Sequence, residues 1–397
     1  MTSQLESRAR VLTTFGAEAA VIAELLSYDA DGFSGGRCQG DLRFPLDDEP
    51  FVETWRGYRD EVAASNLGVL ADRLVQLHFP VQKGISDSEE YRAATRCGEA
   101  PAGMRSATGL CLARPAECTI VIHSTWAGAI PIIQVSCRDD FVSLVRALTK
   151  RNEPVPIPDS MGACIVAGYN NWDRFRRLRE RWTLENPAEP FSVSRVAHLK
   201  ERYQDRFILL SNGWYSDVPP GNLGLSDAKW RSVSLTIRRE HECAHYWTRR
   251  VLSSMRNCIL DEIIADYCGI VAACGRFRPD WLLTFLGLDD RRPCRENGRL
   301  HNYRGHPPLS DAAFAVMQRL VVAAGANLET FDGRHARESS GERGILLALL
   351  TLSQMSLEEL ASEDAPALMA DAYHRVREES SVLVERDIRF LPRESGG

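Results

Sequence analysis

Residues 239–247 read REHECAHYW, placing His241 and His245 four apart with Glu242 directly after the first. On a helix such a pair shares one face, with Cβ atoms about 5–6 Å apart. Both imidazoles can then reach one tetrahedral ion through bonds of about 2.0–2.1 Å. Glu242 projects about 100° around the helix from His241. It flanks the ion without needing to bind it, which is where a general base must stand to take a proton from water. A catalytic zinc also needs a third protein ligand, and the stretch DEIIAD at 261–266 offers one. Glu262 and Asp266 are again four apart, while Ile263 and Ile264 point elsewhere toward packing. A turn between the two helices would bring Glu262 back toward the histidines. Asp266 would then accept a hydrogen bond from the unused nitrogen of a ligand histidine and fix its tautomer and orientation.

HExxH followed on a second helix by ExxxD resembles the gluzincins, the thermolysin-like clan of zinc metallopeptidases. His241, Glu242, His245, Glu262 and Asp266 match that pattern position by position. The resemblance implies Zn2+ on His241, His245 and Glu262, Glu242 as general base, and cleavage of a peptide or amide substrate. It also implies a downstream Tyr or His that stabilises the oxyanion, a role that metal-assisted amide hydrolysis requires in addition to the metal. The loop RLHNYRGHPP offers Tyr303 for it, with His301 and His306 as neighbours and Arg304 as an anchor for a substrate carboxylate. Asp261 departs from the clan, where Asn often precedes the ligand Glu, and no motif of the aminopeptidase branch is present. The match therefore bears more on the metal and its chemistry than on a substrate. Two alternatives stand beside the peptidase: a metal-stabilised peptide-binding or regulatory protein without turnover, and a zinc amidohydrolase acting on a small or modified-peptide substrate in a biosynthetic pathway.

The elements that must position these residues are legible in outline. Residues 4–28 read as a helix, with Leu5, Leu12, Phe15, Ile22 and Leu26 spaced for one buried face. A glycine-rich loop containing FSGGRCQG (33–40) lacks Walker spacing. A second helix is expected over about 53–77, and SDSEE at 86–90 carries helix-start chemistry. TIVIH (119–123), PIIQVS (131–136), ACIVAGY (163–169) and RFILLS (206–211) read as strands, with helices at 139–150 and 171–185 between them. From about 232 the strand signals end. HECAH falls on one long helix, a break follows at Arg256–Asn257, and DEIIAD opens the next helix. Further helices are expected at 310–324, 342–354 and 366–390.

The expected class is α+β. A mainly helical region (1–100) and a mixed α/β lobe (101–231) precede a helical lobe (232–397), with the zinc cleft between the lobes. HSTWAG (123–128), GYNNWD (168–173) and SNGWYS (211–216) each end a strand with polar and aromatic residues that either line the cleft or cap the strand. Cys243 and Cys268 fall off the metal-facing side and read as small buried hydrophobes.

Composition removes other classes. The chain has 397 residues, 44% hydrophobic and 26% charged, enough for a full core. A net charge of -6 with dispersed arginines disfavours nucleic acid and anionic membrane surfaces as partners. No apolar run approaches the roughly 18 residues of a membrane span, and the charged amino terminus is unlike a signal peptide. The 11 cysteines are scattered without a CxxC pair, as expected of free thiols in the cytoplasm. No GxSxG elbow supports a serine hydrolase.

Overall fold

Four short β-branched and apolar runs pair into one sheet: β1 (Thr119–His123), β2 (Ile130–Val135), β3 (Ala163–Asn170) and β4 (Gln204–Ser211). The order is β1-β2-β4-β3, with β2 parallel to β4 and the two outer pairs antiparallel. Strand side chains alternate between faces. Ile133, Val135, Phe207 and Leu209 lie on one face, and Ile130, Ile132, Ile208 and Leu210 on the other. Helices α3 (Phe51–Ala64) and α5 (Arg138–Thr149) pack on the first face, and α7 (Asp227–Leu252) packs on the second. Burial on both faces is why the two central strands read as unbroken apolar runs.

The computed structural model describes residues 2–28, 43–189, 191–192, 198–252, 259–288, 294–296, 298–335 and 342–383. The loop at 33–40 and the break at Arg256–Asn257 lie outside the described residues. Within them the protein is mixed α+β, a small four-stranded sheet among many helices. No described helix is long and apolar enough to cross a membrane.

Two expectations for the first hundred residues need correction. The helix over 4–28 is two helices, α1 (Thr2–Thr14) and α2 (Ala19–Tyr28). The chain turns between them at Gly16, whose φ of 76° lies in the left-handed region that glycine enters freely. The helix over 53–77 stops at Ala64, because the Asn66 side chain accepts from the Gly68 amide and starts a separate 3-10 turn. The helix start at SDSEE is realised in α4 (Glu89–Cys97), where the Ser88 hydroxyl caps the Tyr91 amide.

Chain order and spatial neighbours diverge at the amino terminus. While α3 sits on the sheet, α1 and α2 pack on helices of the last third, namely α10 (Asp311–His335) and α12 (Leu357–Ala361). The Arg8 guanidinium pairs with the Glu358 carboxylate there at 3.1 Å, both side chains buried. α11 (Glu342–Leu352) and α13 (Ala365–Leu383) complete the helical layer, close to the helices expected at 342–354 and 366–390, of which residues 384–390 lie outside the described residues.

At the centre, α8 (Ile259–Cys274) lies along α7. Ile263 and Ile264 are fully buried, each contributing about 1.5–3 kcal/mol of transfer free energy. Glu262, Asp266 and Gly269 recur at the spacing of one helix face, and that face meets α7. A Cβ on Gly269 would stand 2.6 Å from the Ile237 carbonyl oxygen. The two backbones touch there, which glycine alone permits.

Candidate metal centre

The approach of α8 to α7 brings three donor groups to a common point. The Nε2 atoms of His241 and His245 are 3.1 Å apart. Glu262 reaches both, with one carboxylate oxygen 3.4 Å from His241 Nε2 and the other 3.3 Å from His245 Nε2. Each ring is held from behind by its own carboxylate. His241 Nδ1 lies 2.9 Å from Asp266 and His245 Nδ1 lies 2.8 Å from Asp261. A proton on each Nδ1, donated to those carboxylates, leaves both Nε2 lone pairs facing inward. Two inward lone pairs and a carboxylate form a convergence of acceptors that only positive charge can satisfy. Donors bound to one tetrahedral ion at about 2.0–2.2 Å are separated by roughly 3.3–3.6 Å. The two imidazole–carboxylate separations, 3.4 and 3.3 Å to different oxygens of Glu262, fall in that range, and the 3.1 Å between the Nε2 atoms lies just below it.

The electrostatics report the same demand. Burial opposes ionisation of Glu262, yet the charge of His245 and hydrogen bonds from both rings hold it well below the usual carboxylate range. Burial likewise opposes protonation of His245, but Asp261 and Glu262 raise it well above 6.5. His241 is raised too, against burial, by hydrogen bonds to Asp266 and Glu262. Glu242 lies within the field of both imidazoles and of Glu262, and burial raises its pKa above 4.5. A carboxylate held closer to neutral pH is a better proton acceptor and donor in turn.

Behind the centre lies a network with no spacing signature in the sequence. The Tyr215 hydroxyl donates to Asp266 at 2.5 Å and stands 2.9 Å from His241 Nδ1. Arg299 donates to the Tyr215 hydroxyl at 2.8 Å and pairs with the other Asp266 oxygen. Burial opposes ionisation of Asp266, but the charge of Arg299 together with the hydrogen bonds from His241 and Tyr215 holds it below the usual carboxylate range. Arg238, one helical turn before His241, donates to the carbonyls of Ser211, Gly213 and Trp214 at 2.7–2.9 Å. This ties the SNGWYS loop, and Tyr215 within it, to α7. Burial pulls the Arg238 pKa down to about 10. The polar and aromatic end of β4 at SNGWYS points to a stretch that lines the site, whereas no spacing in the sequence points to Arg299.

The loop residues separate. Burial and the negative charge of Glu262 nearby raise the Tyr303 hydroxyl well above 10, so it stays protonated. Its carbonyl accepts from Tyr28 at 2.7 Å. His301 packs its ring on Phe314, and its buried Nε2 has no hydrogen-bond partner among the described residues. Arg304 donates to the Leu309 carbonyl and to Asp311 while lying over Phe314, so its charge serves the loop itself. His306 is exposed. A cavity of about 520 Å³ opens on the other side of α7, lined by Cys243 and Cys268 among others and not by the centre's ligands.

The fold and the site together define an α+β protein with a buried imidazole–carboxylate centre carried on two packed helices. The chain belongs to the family described as "Family of unknown function (DUF7005)", whose model matches residues 10–364. No curated protein and no solved structure matches it.

Proposed function

We propose that the protein is a zinc-dependent hydrolase, gluzincin-like, that cleaves a peptide or amide bond. The observation that carries the reading is the convergence of His241, His245 and Glu262, each histidine backed by its own carboxylate. A zinc ion on these ligands supplies Lewis acidity, acidifying water and polarising a substrate carbonyl. Glu242 takes the proton of the attacking water and delivers it to the leaving nitrogen. Tyr303, protonated beside Glu262, donates a hydrogen bond to the oxyanion as it develops. Asp266 and Asp261 hold the two rings in the tautomer that turns Nε2 inward.

Substrate enters, in this reading, where the sheet meets the helical layer. β3 is an edge strand, and its Cys164 lies within the field of Glu242. An extended peptide can pair with such an edge through main-chain hydrogen bonds. The described cysteines are all free thiols, which supports a cytoplasmic setting. The test is metal analysis of purified protein combined with mass-spectrometric profiling of a peptide library. Glu242→Gln is expected to keep zinc and lose about 10²–10⁴ in rate. Full zinc retention by His241→Ala/His245→Ala would overturn the assignment.

A further inference from the structure

The opposite side of α7 carries a second convergence of donor atoms. Glu240 and Cys243 are three residues apart and share one helix face. At about 100° per residue that face lies roughly 150° around the helix from His241 and His245. His123, the last residue of β1, meets it from the sheet, with Nε2 3.3 Å from Glu240 Oε1. The imidazole nitrogen, the carboxylate oxygen and the Cys243 sulfur all lie within 4.8 Å of one another. We propose that His123, Glu240 and Cys243 form a second metal site, for a borderline-soft divalent ion of the zinc and cobalt type.

The donors are available. Arg239 and His123 both address Glu240 Oε1, at 2.7 and 3.3 Å, and no hydrogen bond engages Oε2 among the described residues. The Cys243 sulfur likewise makes no hydrogen bond among them. Mixed nitrogen, oxygen and sulfur donors select zinc or cobalt over magnesium and calcium, which prefer oxygen alone. Bonds of about 2.0–2.3 Å require donors within 4.8 Å of one another to draw together by up to about 1.5 Å. Three protein ligands also leave a coordination position open, and here it faces the cavity of about 520 Å³ walled by Trp126, Trp247, Tyr267 and Phe331. The cavity is large enough for a small organic ligand. This site shares no ligand with the His241–His245–Glu262 centre and stands or falls separately from it.

The two centres differ in one spectroscopic respect: only the second contains sulfur. Metal-free protein kept reduced is titrated with Co2+ and followed by near-ultraviolet absorption. A thiolate-to-cobalt charge-transfer band is expected, with one equivalent bound beyond whatever the first centre takes. Cys243→Ser should abolish the band and that equivalent. His123→Ala, at a half-buried position on the sheet's edge, should do the same without disturbing the core; far-ultraviolet circular dichroism checks both folds. His245→Ala should leave the band intact. Absence of the band in the native chain, or its survival in either Cys243→Ser or His123→Ala, overturns the proposal.

Discussion

Asp261→Asn isolates the contribution of a carboxylate that touches no ion. Asp261 is fully buried, its Oδ2 accepts from His245 Nδ1 at 2.8 Å, and its Oδ1 has no hydrogen-bond partner among the described residues. Asparagine keeps the shape and an acceptor oxygen but removes the charge that makes His245 a strong donor. Because Asp261 is among the charges that hold a proton on His245, neutralising it should also lower metal-free stability, which a denaturant titration measures separately from affinity. Removing the partner behind a ligand histidine typically weakens metal binding by about 10–100-fold, or roughly 1.4–2.8 kcal/mol. Competition against a chromophoric zinc chelator measures this directly, with circular dichroism confirming the fold. The pH dependence supplies a second readout. Protons compete with the ion for Nε2, so affinity falls with pH by up to about tenfold per unit for each proton displaced. Asp261 is among the charges that raise His245, so its loss should move the onset of that fall to lower pH. Unchanged affinity and an unchanged onset, while His245→Ala still loses the metal, would refute the idea that Asp261 tunes this ligand.

Two further outcomes follow from the same geometry. Gly269→Ala sets a methyl group 2.6 Å from the Ile237 carbonyl oxygen. Backbone cannot yield as a flexible side chain can, so the helices must part, at about 1–3 kcal/mol of overpacking. The measurement is a joint loss of thermal stability and zinc affinity; loss of stability alone would show that the helix contact does not govern the site. For metal-free protein, the histidines bind protons more tightly when folded than unfolded. Their stabilising contribution is complete below the unfolded value of about 6.5 and is lost as pH rises through the raised folded values. Denaturant titrations across that window should show metal-free stability falling and zinc restoring it; a flat profile would contradict the charge assignment.

What the sequence reveals here is what local periodicity can encode. The four strands fall within a residue or two of the β-branched runs, and DEIIAD opens a helix as its spacing implies. The pairings His241–His245 and Glu262–Asp266 are intrahelical, so residue spacing alone puts each pair on one face. Tyr215 and Arg299 belong to the same site but are joined by contacts across 51 and 84 residues. No spacing rule reaches that far. Asp261 was visible only as a departure from a family pattern, because a carboxylate beside a ligand looks like any acidic first turn until the partner ring is located. The break at Gly16 was missed because the apolar stripe continues across it. The stripe reports a common buried surface, not an unbroken helix.

The placement of the first two helices has a consequence for biosynthesis. Tyr28 bonds the carbonyl of Tyr303, Glu24 accepts from Ser310, and Arg8 pairs with Glu358. Residues 2–28 leave the ribosome well before their partners, which emerge only after some 275–350 further residues. During that interval α1 and α2 have each other to pack on but not the helices of the last third that cover them. Contacts of such long sequence separation slow folding and leave hydrophobic surface exposed to misassociation. The nascent chain should therefore depend on chaperone cover until α10 and α12 are released.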